Sequence, residues 1–268
     1  MDIEVKDNII LIDLSYFIFY RYYALIQWWK LAKPDDVLDN PSENEEFIKK
    51  FIKTFVDKFN EIPKKLKLKN FLIIGGKDCP RQDIWRNSLF NNYKEQRVYD
   101  DSFMGGYFFK LAYEEIIPKL CPIINCDKLE ADDCIALLAK HIKNKYDNKK
   151  IFIIANDMDY LQLADDTIKI INLKYKNLQE SKNSTGNKEC DLFCKIVLGD
   201  KSDNIPGVFD KCGKKTVEKC YEDPKFFETK LNKENKNLDY QRNLQLINFD
   251  YIPSILVELF YNDILTTL

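Results

Sequence analysis

The chain has 268 residues, 45% of them hydrophobic and 31% charged, with a formal charge of −2 at neutral pH. That length supports one sizeable core, or a core with a smaller satellite, and the composition excludes a disordered chain. The near-zero net charge makes no prediction of a general polyanion binder, so any nucleic-acid contact has to come from local basic patches with acid concentrated elsewhere.

In chain order, the apolar run NIILIDLSYFIFYRYYALIQWW is interrupted by Asp13 and Arg21 and has no basic leader or small-residue cleavage site. It predicts a strand over 8–13 and an aromatic-rich helix over 15–29, in an intracellular (cytosolic or nuclear), reducing or viral setting. A helix over 43–60 and a strand over 70–75 (NFLIIG) follow. Helices are expected over 80–92 and 103–119, with a weaker strand candidate over 122–126 (PIINC). A helix over 131–145 precedes strands over 151–155 (IFIIA) and 167–173 (TIKIINL). This alternation predicts an α/β fold with a mostly parallel central sheet flanked by helices. The polar stretch at 179–189 reads as a linker, giving an α/β body over 1–180 and a helical region over 181–268. Helices are expected there over 188–198, 213–221, 223–231, 236–247 and 254–265.

Eight cysteines and one histidine, His141, limit the chemistry. No cysteine pair has the CxxC spacing of a zinc ribbon. Cys190, Cys194, Cys212 and Cys220 could hold one zinc ion, but reduced, buried thiols are expected instead. A catalyst built from this chain has to rely on oxygen ligands, lysines and arginines.

Acid gathers where strands end. Asp13 closes the strand over 8–13, Asp78 follows NFLIIGGK, and Asp157 and Asp159 follow IFIIA. Glu130, Asp132 and Asp133 come after PIINC, and Asp200 and Asp203 lie in VLGDKSDNIPGV. Singly, each group is explained by helix capping or loop solvation. Together they should meet at the carboxyl edge of one parallel sheet, where ligands bind. Crowded carboxylates without histidine or cysteine select Mg²⁺ or Mn²⁺, and two such ions clamp both oxygens of a phosphodiester displacement.

Basic residues supply the complement. If WRNSLFNNYKEQR is helical, Lys94 and Arg97 share a face, with Arg86 two turns back, and the three would grip successive phosphates. A second patch, KCGKKTVEK, offers Lys211, Gly213, Lys214, Lys215 and Thr216 to a duplex backbone. Tyr16, Phe17 and Tyr20 could stack on a base, although their helical spacing favours core.

The ordered set ID (12–13), WRNSLFNNYKEQR (85–97), LEADD (129–133), NDMDYLQL (156–163) and GDKSDNIPGV (199–208) resembles the flap endonuclease/5′-nuclease family. That family includes phage 5′-exonucleases and the 5′-nuclease domain of DNA polymerase I. The resemblance implies hydrolysis of DNA near a 5′ end or flap. Asp13, Asp78, Glu130 and Asp132 would surround the first metal. Asp133, Asp157, Asp159, Asp200 and Asp203 would serve the second, directly or through water. Lys94 would be the catalytic lysine at a helical gateway and Arg97 its phosphate-binding neighbour. The patch from Lys211 would be a helix–three-turn–helix that binds K⁺ and duplex DNA, with Lys211-Cys212-Gly213 replacing the usual Gly-Ile-Gly. Only thirty-two residues separate Arg97 from Glu130, which implies a low arch over the 5′ strand or one that orders on binding. No sliding-clamp motif is apparent, and a monomer without membrane contact is expected. Two other readings stay open: a PIN-type metal-dependent ribonuclease and an inactive DNA-binding scaffold.

Overall fold

The computed structural model describes residues 3–96 and 103–265. Its centre is a five-stranded parallel sheet of β1 (Asn8–Asp13), β2 (Phe71–Gly76), β3 (Ile123–Ile124), β4 (Lys150–Ile154) and β5 (Ile168–Ile171). The spatial order is β3-β2-β1-β4-β5. The strand order therefore reverses at β1, and the crevice beyond the carboxyl ends of β1 and β4 is the expected ligand position. Asp13 pairs with Gly76 of β2, and Ile12 pairs with Ile154 of β4, so these strand ends are level.

β1 is apolar on both faces because both are covered. Ile9 and Leu11 point into a core shared with α4 (Ala131–Lys145). Ile10 and Ile12 point into a second core with α1 (Leu14–Ala32), α2 (Glu45–Lys65) and α3 (Gly106–Leu111). The stripe Phe47, Phe51, Phe55 and Phe59, spaced by four along α2, is fully buried and explains why this helix forms and where it docks. Asn44 caps it by accepting a hydrogen bond from the Phe47 amide at 2.9 Å. Among the described residues no helix is long and apolar enough to cross a membrane.

The remaining helices are α5 (Lys188–Leu198), α6 (Lys214–Glu222), α7 (Pro224–Lys233), α8 (Asn237–Ile247) and α9 (Ser254–Leu265). Val197, Val208, Phe209, Val217 and Leu231 form a separate small core around α5 and α6. The helical region is nevertheless not all apart from the α/β body. Phe260 of α9 is fully buried in the core of Ile9 and Leu11, and the Tyr261 hydroxyl donates to the Leu137 carbonyl at 3.2 Å.

Two expected helices differ. Residues 80–92 form two short 3₁₀ turns, Arg81–Asp83 and Trp85–Ser88. Tertiary contacts override the helical pattern there: the Trp85 amide donates to the Lys128 carbonyl, and its indole donates to Asp133 at 2.9 Å. The stretch 103–119 begins as α3 and ends in a π turn and a 3₁₀ turn containing Pro118, which has no amide to donate. Phe108 of α3 is buried against Phe51, with ring centroids 4.8 Å apart. This segment docks on the body through aromatic side chains and not through basic ones.

All eight cysteines are free thiols, seven of them buried. Burial pushes Cys79, Cys121 and Cys194 up to about 12, well away from thiolate chemistry. Among the described residues no cysteine joins a group able to hold metal.

α5 stops at Gly199, whose φ of +73° is left-handed, and an added Cβ would sit 2.4 Å from the Ile205 carbonyl oxygen. Gly199→Ala is expected to cost at least about 2 kcal/mol, read as a lower urea midpoint with an unchanged slope.

Candidate metal centre

The acids converge where the strand order reverses. Asp13 ends β1 and caps α1, accepting a hydrogen bond from the Tyr16 amide at 3.0 Å. Asp78, two residues past β2, is pinned between helix starts: the Ala131 amide donates to it at 2.8 Å and the Ser15 hydroxyl at 2.7 Å. Gly76 makes this approach possible, because a Cβ there would lie 2.8 Å from Ile135 and 3.1 Å from the Ala131 carbonyl oxygen. At the start of α4, Glu130, Asp132 and Asp133 bring one oxygen each within 4.8 Å of one another. Asp159, Asp200 and Asp203 form a second such group, also within 4.8 Å. Asp157 lies near both Asp13 and Asp159: its charge acts on each, and its side chain accepts from the Asp159 amide at 2.9 Å.

Two side chains tie the groups together. The Tyr93 hydroxyl lies 3.0 Å from Glu130 and 3.2 Å from Asp203. Lys94 contacts Glu130 and sits 3.7 Å from Asp203. Lys94 adopts a left-handed φ of +55°, and its amide donates to the Asp203 carbonyl while Arg81 donates to its carbonyl. Such a backbone costs about 1 kcal/mol or more, so these contacts fix the lysine where it faces both acids.

Residues 8–191 match the family "5'-3' exonuclease, N-terminal resolvase-like domain". The chain belongs to the 5′-3′ exonuclease family. It is 31% identical over 208 residues to the ribonuclease H of Enterobacteria phage T4, covering 66% of this chain and 64% of that protein. It is 30% identical over 222 residues to a 5′-3′ exonuclease of Buchnera aphidicola subsp. Schizaphis graminum, covering 79% of this chain and 69% of that one. The chain thus spans about two thirds of the length of these curated relatives. The fold matches that of the T5 D15 protein co-crystallised with metal ions, with a TM-score of 0.69 at 20% identity over 97% of this chain and 98% of that one. It also matches a bacteriophage T5 flap endonuclease in a pseudo-enzyme-product complex with DNA and metal ions, with a TM-score of 0.67 at 19% identity, covering 97% of this chain and 98% of that chain.

Burial and mutual repulsion favour the protonated form of several of these carboxylates. Desolvation and the charges of Asp78 and Asp157 push Asp13 up to about 7. Desolvation and Asp157 do the same to Asp159, also to about 7. Desolvation, Asp133 and Glu130 raise Asp132 well above the carboxylate range. Burial would raise Glu130 too, but Lys94 and Arg86 hold it below its ordinary value. An all-oxygen donor set with surplus negative charge fits a hard divalent cation.

Two site residues stand differently from the sequence expectation. Arg86 does not face phosphate beside Lys94; it is 2% exposed beneath the acids. Its guanidinium donates to Asp133 at 2.7 and 2.8 Å, to Glu130 at 2.8 Å and to the Leu246 carbonyl at 2.7 Å. Asp133 lies with Glu130 and Asp132, not with the second group, and it is fully buried. It accepts from Arg86, the Trp85 indole and the Glu130 amide, so helix capping and the arginine occupy its oxygens. Arg97 lies outside the described residues.

Lys211, Gly213, Lys214, Lys215 and Thr216 line one run leading into α6, and the two lysines and the threonine at its start are exposed. Lys211 takes a left-handed φ of +53°, the conformation a glycine would adopt freely. Gly213 caps α6 without a side-chain bond, and Lys214 donates to the Asn183 carbonyl at 3.3 Å. Phe17 is core, and Tyr16 is half-buried with its hydroxyl accepting from the Leu173 amide at 3.1 Å.

Sequence reading missed four partners. Tyr93 was visible only as a neighbour of Lys94. Tyr160, fully buried, places its hydroxyl 3.4 Å from Asp13. Asn243, also buried, donates to the Ile196 and Pro206 carbonyls and locks α8 to the turn that carries Asp200 and Asp203. Lys195 pairs with Asp159 and Asp200. Most of these contacts, Lys195 with Asp200 excepted, join distant parts of the chain that no local spacing links.

Arg86→Met leaves buried Asp133 without its cation and Glu130 with Lys94 alone, and is expected to cost about 3–5 kcal/mol in urea unfolding. Asp13 and Asp159 hold protons up to about pH 7 in the fold but release them near 3.8 when unfolded. The metal-free fold therefore binds more protons than the unfolded chain between these values, and its melting temperature should fall as pH rises from about 5 to 8. Saturating Mg²⁺ should flatten or reverse that slope in the same scan.

Proposed function

We propose that this chain is a divalent-metal-dependent 5′-3′ exonuclease and flap endonuclease that hydrolyses phosphodiester bonds of DNA. The observation that carries the reading is the pair of three-carboxylate groups at the strand-order reversal, bridged by Tyr93 and Lys94. Asp13, Asp78, Glu130 and Asp132 would hold one Mg²⁺ or Mn²⁺, and Asp157, Asp159, Asp200 and Asp203 a second. When bound, such ions supply an activated water and a Lewis acid on the phosphate.

The chain's own side chains do the rest. Lys94 stands at the junction of the two acidic groups, where its ammonium neutralises charge building on the scissile phosphate. Tyr93 holds Glu130 and Asp203 at fixed separation. Arg86 and Tyr160 lock Glu130 and Asp13 from beneath, which keeps the site rigid without touching substrate. The run Lys211–Thr216 would grip duplex backbone through lysines and the amides at the start of α6. K⁺ binding belongs to the same proposal, with the left-handed Lys211 standing where a glycine is usual. Eight free thiols suit a reducing compartment. A compact PIN-type ribonuclease lacks a duplex grip like that of α5 and α6, and this segment favours the nuclease reading over it.

The test is a panel of labelled 5′-flap, nicked, blunt and RNA–DNA hybrid substrates with Mg²⁺, with and without chelator. Metal-dependent release of short 5′ products is expected; cleavage of single-stranded RNA alone, or binding without cleavage, would overturn the proposal. The hybrid arm matters because one relative is named a ribonuclease H. Lys94→Ala is expected to slow cleavage about 10²–10³-fold while flap binding, read by fluorescence anisotropy, changes only a few-fold.

A further inference from the structure

The second acidic group already contains a cation. Lys195, near the end of α5, places its Nζ 2.6 Å from Asp200 and 2.9 Å from Asp159. Those are two of the three carboxylates that come within 4.8 Å of one another. The lysine reaches both acids through the end of its flexible four-carbon stem and not through its backbone. An ammonium is a compact point charge with no acceptor, and it competes for the same oxygens that a hard cation would take. A metal ion coordinated by Asp159 and Asp200 leaves no room for Nζ between them.

The fold offers the lysine somewhere else to go. Lys195 lines a cavity of about 200 Å³ together with Met158, Leu161, Asp191, Cys194 and Lys214. Asp191 lies four residues earlier on α5, on the same helical face, at the spacing that suits a Lys–Asp pair; its oxygens each accept one bond, from the Ser184 hydroxyl and the Thr185 amide at 2.6 Å, and keep lone pairs for an ammonium. A rotation about the lysine's own stem carries the charge from one acid set to the other without moving the backbone. Lys94, by contrast, is fixed by main-chain bonds on both sides and borders the groups from their junction.

We propose that Lys195 is an internal counterion of the Asp159–Asp200–Asp203 group, displaced into the neighbouring cavity toward Asp191 when a second divalent cation binds. This rests on the reading that the group accepts such a cation. Lys195 then has two effects of opposite sign. It stabilises the metal-free protein by neutralising acids that would otherwise repel, and it weakens the second metal site relative to the first. Occupancy of the second site therefore responds to cation concentration in a range where the first is already filled.

The test is Mn²⁺ titration of the full chain, followed by the loss of the free-ion electron paramagnetic resonance signal, alongside melting of the metal-free protein. Lys195→Met keeps the length and removes the charge; Lys195→Arg keeps the charge. The wild-type chain is expected to bind two ions, the second more weakly. In Lys195→Met the second should bind about tenfold tighter or more, with the first unchanged, while the metal-free melting temperature falls. Lys195→Arg should keep the second site weak and the metal-free protein stable, which controls for damage to the fold. A second-site affinity that is unchanged or weaker in Lys195→Met overturns the counterion role. Equal tightening in Lys195→Arg overturns it as well. Binding of a single ion by all three proteins would remove the second-cation reading and this proposal with it, while leaving the nuclease panel to be judged on its own products.

Discussion

Repulsion among the carboxylates at the carboxyl edge of the sheet is the constraint on which the rest depends. Unit charges 4.8 Å apart repel by about 3 kcal/mol at an effective dielectric near 20, and this edge carries two groups of three within that distance. A domain is stable by only about 5–15 kcal/mol, so the fold does not survive such crowding unless the charge is offset. Among the described residues three cations do so from within: Arg86 beneath Glu130 and Asp133, Lys94 between Glu130 and Asp203, and Lys195 between Asp159 and Asp200. What they leave unbalanced, chiefly at Asp13 and Asp132, is the charge that invites metal.

The scaffold explains how the crowding is built. A parallel sheet with both faces buried delivers β1 and β4 side by side, ending level with each other. Gly76 lets the start of α4 close on β2, and Asp78 fastens the two by bonding Ala131. Carboxylates of one short motif then divide their work. Asp133 is spent on capping and on Arg86, while Asp132, next to it, is left facing the cluster. Arg86 also bonds Leu246 of α8, and Asn243 bonds the turn that holds Asp200 and Asp203. The helical region is thereby a positioning element for the acids as well as a surface for a duplex.

Much of this was legible in the residues. Strand runs such as NIILID are apolar on both faces only in a buried parallel sheet, and acids at their ends can meet only at one edge. What stayed hidden was partnership across the chain. The pattern around Arg86 reads as a basic helix face because spacing says nothing of the Lys128 carbonyl that captures Trp85 or of the acids that draw Arg86 inward. Asp133 reads as one more ligand because its indole and guanidinium donors lie 48 and 47 residues away. Nothing in the spacing singles out Lys195, since its partner Asp159 comes from a separate turn. The C-terminal helix was expected, but its return to the first core through Phe260 has no signature in periodicity.

The central claim is that the clustered acids form one site for two divalent cations. Anomalous diffraction from crystals of the chain soaked in Mn²⁺ tests it most directly. Two peaks are expected, one among Asp13, Asp78, Glu130 and Asp132 and one among Asp157, Asp159, Asp200 and Asp203. Peaks lying only elsewhere on the surface, or no peak at a concentration that fills the protein in solution, would contradict it.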